Sequence, residues 1–376
     1  MTSPNCGVGI SAFFARSSSL WNKAAHFTVS VLSFLALFSN PQVFALFPNA
    51  EAQNADSAQY AVSTNNNDAS DSNGKALAVK ESPWFRLVQR DGAPVQLQTS
   101  ITRYAGGYVG TDGSTRQVSV DLVGAIHFAE QGYYEALNKE FENYETVVFE
   151  LVTARGADVK QLFEEEQTSV DTITSPLDFI TLTQNVMGNS LGLARQVDNI
   201  DYTVDNFVRG DMDSEDFVAL LFTNGDVNNF FADSFFAGFV NETLGQFEGW
   251  GIALFSANDR RLALRRLFAV ELYKSMVAEI AKETQKLESG SKDVDVDDSD
   301  AVQKIAIEDR ENVIIHLRNK KALEAVKKEL DAGRTNVAVF YGVAHLPDLE
   351  RLLQKELGLS QSGEARWFTA WEMSAE

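Results

Sequence analysis

Val118-Ser119-Val120-Asp121-Leu122-Val123-Gly124-Ala125-Ile126-His127 is the stretch on which the fold turns. Val118, Val120 and Leu122 alternate with the period of a strand. The strand ends in a Gly-x-x-His motif. Tyr133, Leu137 and Phe141 then recur every four residues, which predicts one buried face of a helix. Val147-Val148-Phe149-Glu150-Leu151 follows as a short apolar run suited to a buried parallel strand. Together these form a β-α-β unit. Upstream, Val95, Leu97, Thr99 and Ile101 alternate as well, and the turn signals Gly106-Gly107 and Asp112-Gly113 predict a hairpin. Folded sequence begins near Trp84-Phe85.

The arrangement returns near the other end. Val337-Ala338-Val339-Phe340-Tyr341 reads as a buried strand and runs into Gly342-Val343-Ala344-His345. Pro347 can start a helix with Leu349, Leu352, Leu353 and Leu357 on one face, and Gly358 stops it. Trp367 to Trp371 reads as a closing strand. The expected fold class is α/β, or α+β. Its sheet is mostly parallel and comes from two pseudo-repeated β-α-β halves, residues 79–156 and 304–376, with a helical insertion at 157–303. Phe217, Phe222, Phe230, Phe231, Phe235, Phe236 and Phe239 make part of the insertion aromatic-rich, as a helical core or a greasy channel. Residues 289–300 hold five aspartates and read as a flexible acidic loop without the ligand spacing of an EF-hand.

Arg16 and Lys23 precede an uncharged apolar stretch from Ala24 to Phe38, the pattern of a signal peptide over residues 1–52. The predicted address is periplasmic or secreted, and an uncleaved segment gives a membrane anchor instead. Residues 53–78 have the composition of a disordered tether. The formal net charge of -21 argues against nucleic acid as a partner. Membrane contact is expected only through the amino-terminal segment. The single cysteine, Cys6, excludes a cysteine nucleophile or a zinc ribbon in the body.

The four histidines are His26, His127, His316 and His345. Two of them close matching Gly-x-x-His motifs at strand ends, where open α/β sheets bind their ligands. Glu150 ends the strand after the first motif, and a carboxylate in an apolar run wants a partner. His127 and His345 with Glu150 are therefore candidate ligands for zinc, manganese, cobalt or iron, an ion that would activate water toward a carbonyl. In the simpler reading both histidines are satisfied polar groups and Glu150 pairs with Arg155. Asp121 and Tyr341 are candidates to support the site from behind. His316 is read as a structural or exposed residue.

The segments Val123 to His127, Val147 to Leu151 and Tyr341 to Pro347 resemble the TraB, Tiki and GumN group, within a superfamily that includes erythromycin esterases and ChaN-like proteins. The resemblance covers the two β-α-β ends, about a third of the chain. It implies a divalent-metal-dependent hydrolase of a peptide or another small carbonyl substrate, as in the Tiki proteases. A metal-free esterase, or a haem- or peptide-binding protein without turnover, is the alternative. It also implies an arginine on the helix before the second motif, and Glu308-Asp309-Arg310-Glu311-Asn312 resembles that element. Arg310 would hold a substrate carboxylate or a developing oxyanion.

Overall fold

A computed structural model describes residues 82–164, 188, 191–222, 257–288 and 307–374. The signal and tether, the acidic loop and most of the aromatic segment lie outside the described residues. So does the side chain of Arg310.

The chain enters through strand β1 (Phe85–Arg90) and turns at Asp91 and Gly92, both with positive φ, into β2 (Ala93–Val109). This turn has the left-handed conformation of a tight two-residue hairpin. A second turn at Gly110–Ser114, with Gly113 at φ +77, leads to β3 (Thr115–Ala125). The second hairpin is the expected one. Gly106 and Gly107, however, continue the strand and pair with Val118 and Gln117. Gly106 is needed for another reason: a Cβ there would press on Leu359 and on the Gly358 carbonyl.

The short strand β4 (Phe128–Ala129), helix α1 (Gln131–Phe141) and β5 (Thr146–Phe149) follow. Helix α1 buries Tyr133, Tyr134, Leu137 and Phe141, the face its periodicity predicts. Then come α2 (Val159–Glu164), β6 (Ala194–Arg195), α3 (Gln196–Asn199), β7 (Phe207–Arg209), α4 (Ser214–Phe222) and the long helices α5 (Ala257–Glu288) and α6 (Ile307–Asp331). The chain closes with β8 (Asn336–Gly342), a 3-10 turn at Val343–His345, α7 (Leu346–Leu357), β9 (Ser360–Gln361) and β10 (Arg366–Glu372). Helix α7 carries Pro at its first turn and ends at Gly358 in the left-handed conformation, as its sequence predicts.

The fold is α/β. Four strands run parallel in the order β3-β8-β5-β7. Their continuous apolar runs follow from burial on both faces: Val337 to Tyr341 of β8 and all of β5 are buried. The rest of the sheet is antiparallel. Strands β1 and β3 follow one another along one edge of β2, and β10 and β9 lie along the other.

Two features differ from expectation. The strands ending at His127 and Glu150 are not neighbours, because β8 lies between them and pairs with both. Helix α1 crosses one strand position and leaves a slot that β8 fills. The insertion is also not only helical. Phe207–Arg209 adds the fourth parallel strand against β5. Aromatic side chains fill the core beneath this part of the sheet, with Phe141 4.9 Å from Phe340 and 5.4 Å from Phe207 between ring centres.

Candidate active site

All four parallel strands deliver a functional group at their carboxyl ends, on one side of the sheet. His127 lies just beyond β3, Gly342 and His345 at the end of β8, Glu150 just beyond β5, and Gly210 and Asp211 just beyond β7. Helix α6, which packs on β5, β7 and β8, adds Arg318 and Asn319.

The backbone around His127 is pinned by buried side chains. Tyr133 donates to the Gly124 carbonyl at 2.9 Å, Tyr134 to Ile126 at 2.8 Å and the Trp371 indole to Phe128 at 2.8 Å. The Gln196 N–H donates to the His127 carbonyl at 2.8 Å. The carbonyls freed where β3 stops pairing are thereby satisfied without water. His127 itself is exposed, whereas His345 is buried, and Glu150 and Arg318 are 14% and 13% exposed at their side chains. The site therefore opens at His127 and deepens toward His345.

Arg318 is the centre of the cluster. Its Nη2 donates to Glu150 Oε1 and to Asp211 Oδ2, both at 2.7 Å, and its Nε donates to Asp211 Oδ1 at 3.0 Å. The third nitrogen, Nη1, reaches His345 Nε2 only at 3.5 Å, the limit of a hydrogen bond. The Phe217 ring of α4 lies 5.7 Å from the guanidinium carbon. Glu150 Oε2 accepts from the Gly342 N–H at 2.7 Å, and Glu150 Oε1 stands 3.6 Å from His345 Nε2. Glycine at 342 leaves room for this carboxylate, since a Cβ there would come within 3.3 Å of Oε2.

Burial opposes the charge on Glu150. Arg318, then His345, His127 and the Gly342 N–H, outweigh it and hold the carboxyl well below its usual range. Burial pushes the His345 imidazole down to about 4, against the pull of Glu150 and with added repulsion from Arg318. His127 is also lowered, by loss of hydration first, with the same attraction from Glu150 and the same repulsion from Arg318. Both imidazoles are neutral at pH 7 and both feel one carboxylate.

Of the expected grouping, His345 and Glu150 approach each other at 3.6 Å, and His127 meets Glu150 only through its electrostatic pull. Tyr341 supports it. Its ring packs edge-on against His345 at 5.3 Å, and its hydroxyl donates to the Gly210 carbonyl at 2.5 Å. Asp121 does not join the site. It pairs with Arg103 at 2.8 Å and accepts from the Tyr144 hydroxyl at 2.7 Å. Asp121 is six residues before His127, roughly 20 Å along an extended strand. Arg155 pairs with Asp213 and Asp216, leaving Glu150 to Arg318. His316 donates from Nδ1 to Asp348 at 2.8 Å. Arg318, Asn319 and Asp211 join the cluster and were not anticipated from the sequence. A signal was present for the first: Arg318 falls four residues from each of Ile314 and Ala322, both buried, so a charge interrupts an apolar stripe of the helix.

The donor set was also expected to hold a divalent ion. Ligation at about 2 Å needs unobstructed lone pairs. Here Arg318 and the Gly342 N–H engage the two oxygens of Glu150, and a permanent cation faces His345 Nε2. Among the described residues, no group of three His, Cys, Asp or Glu converges as an ion cage. Each Glu150 oxygen keeps a second lone pair, and an ion bound there would share the carboxylate with Arg318. No family model, no curated protein and no solved structure matches the chain.

Proposed function

We propose that this chain is a hydrolase of peptide, amide or related carbonyl bonds, in which His345 activates water between Glu150 and Arg318. The observation that carries this reading is the 3.6 Å approach of His345 Nε2 to Glu150 Oε1, beside Arg318 Nη1, at the open end of the parallel strands. The neutral imidazole takes a proton as water attacks the carbonyl carbon. The imidazolium so formed lies against Glu150, which offsets its charge. Arg318 Nη1 donates to the carbonyl oxygen as it gains negative charge. His345 then returns its proton to the leaving nitrogen or oxygen. His127, at the mouth, orients the substrate or the water. The matching Gly-x-x-His ends of β3 and β8 suit the two halves of an internal repeat, and the amino-terminal segment suits export.

The metal-dependent version, with His127, His345 and Glu150 as ligands, is the second reading. Two imidazoles that both feel the charge of one carboxylate favour it, as does the resemblance to the Tiki group. It requires the ion to share Glu150 with Arg318.

The test is turnover of a quenched-fluorescent peptide library and of p-nitrophenyl esters, with and without chelator, alongside metal analysis of the purified protein. Chelator-insensitive turnover without a stoichiometric ion supports the first reading. Turnover lost on chelation and restored by one divalent metal supports the second. Full turnover by both His127→Ala and His345→Ala proteins sinks both. A peptide bound and released uncut, or a haem absorbance on mixing, makes this a binding protein.

The first reading also sets a pH dependence. His345 acts as a base only when neutral, and its pKa lies at about 4 rather than at its ordinary 6.5. In a pH–rate profile, kcat/KM is expected to fall as the pH drops through about 4, with no acid limb near 6.5. A limb between pH 6 and 7 would assign the base to a solvated group instead.

A further inference from the structure

The side chain behind His345 decides what its catalytic nitrogen can do. Asn319, completely buried on α6, places Oδ1 2.6 Å from His345 Nδ1. Its Nδ2 donates to the His345 carbonyl at 3.2 Å and to Asp348 Oδ2 at 3.0 Å. A backbone carbonyl and a carboxylate can only accept. Burial works against charge on Asp348. Even so, His316 first, then Asn319 and Arg351, hold its carboxyl down to about 2. Arg351 grips the other oxygen, Oδ1, from Nη2 at 2.6 Å and from Nε at 3.1 Å.

Reversing the Asn319 amide would set its oxygen against two acceptors in a buried place and leave all three groups without a hydrogen bond there. Oδ1 therefore accepts from His345, and the proton of the neutral ring lies on Nδ1. An unconstrained histidine populates both tautomers. The other tautomer here would put N–H on Nε2, toward the Arg318 guanidinium, and turn the ring's lone pair on Nδ1 against Asn319 Oδ1, away from the site. An amide also suits this position better than a carboxylate. It fixes the tautomer without adding a third negative charge beside Glu150 and Asp211, which would draw a proton onto the ring.

We infer that Asn319, oriented by the Asp348 carboxylate, is a positioning residue that fixes His345 as the Nδ1–H tautomer and presents the Nε2 lone pair to Glu150 and Arg318. The catalytic consequence rests on the hydrolase reading, whereas the tautomer does not.

The experiment is 15N NMR of the full chain near neutral pH, with the His345 signals assigned by their loss in His345→Gln. In wild-type protein Nδ1 is expected to be protonated and Nε2 to have a pyridine-like shift. Asn319→Leu is expected to give a tautomer mixture and to lower kcat roughly 10–100-fold with little change in KM. Asn319→Asp keeps an acceptor at Nδ1. It is expected to restore the Nδ1–H tautomer and part of kcat, and to move the acid limb of the rate profile upward. A proton on Nε2 in wild-type protein overturns the inference, and so does an unchanged tautomer in Asn319→Leu. If Asn319→Leu does not fold, the wild-type and Asn319→Asp spectra decide. If no substrate is turned over, the hydrolase reading fails separately, and the spectra still judge the tautomer.

Discussion

Arg318→Leu is expected to cost about 3–5 kcal/mol of stability, the usual penalty for removing one partner of a buried ion pair. Arg318 is the cation shared by Glu150 and Asp211, whose side chains are 14% and 0% exposed. Without it two largely buried carboxylates lose the cation they share. The fall in Tm should be roughly 10 °C or more in a thermal melt. Adding Glu150→Gln and Asp211→Asn to Arg318→Leu should recover part of the loss, because the uncompensated charges are then gone. A single Arg318→Leu protein melting within a degree or two of wild type would mean that the guanidinium does not bridge these carboxylates.

His345→Ala is the second large effect, and it falls on chemistry. Removing a general base typically costs about 10²–10⁴ in rate. A loss of that size in kcat is expected, with KM changed little, provided a melt shows that the variant folds. His127→Ala should weaken turnover less, roughly tenfold, and should act partly through KM, since His127 is the exposed member at the mouth. Comparable losses at the two positions would favour shared ligation of an ion over the division of labour proposed above.

The parts of this site that local sequence revealed share a physical cause. Strands buried on both faces must be continuously apolar, so β5 and β8 stand out as runs of Val, Ala and Phe. A glycine and a histidine at the end of such a run are conspicuous because nothing else there is polar. Glu150 stands out for the same reason. The helices α1 and α7 show themselves through single buried faces and, in α7, through Pro347 and Gly358. The Asp91-Gly92 turn, a dipeptide that allows two positive φ values in succession, was not among the turns expected.

Other parts were hidden because their cause is not local. Nothing in β3, β5 or β8 states that β8 takes the slot between the other two. That order follows from packing the whole chain. It is also what sets His345 between the His127 and Glu150 strand ends. Strand β7 is only three residues long and ends in Arg209, so it leaves little periodicity to detect. Asp211 beside Gly210 reads as loop punctuation. Its role appears only once Arg318 reaches it from a helix more than a hundred residues later. Helix α6 carries many basic residues, and Arg310 and Arg318 lie on the same element. Its place between the buried Ile314 and Ala322 is what distinguishes Arg318.

The site is one unit only if both imidazoles share Glu150. Histidine titration by NMR in wild-type and Glu150→Gln protein measures that sharing directly. Glu150 raises the pKa of His127 and of His345, in each case against loss of hydration. Removing its charge is therefore expected to lower both pKa values together. A shift at only one of the two imidazoles, or at neither, would contradict a common centre built on Glu150.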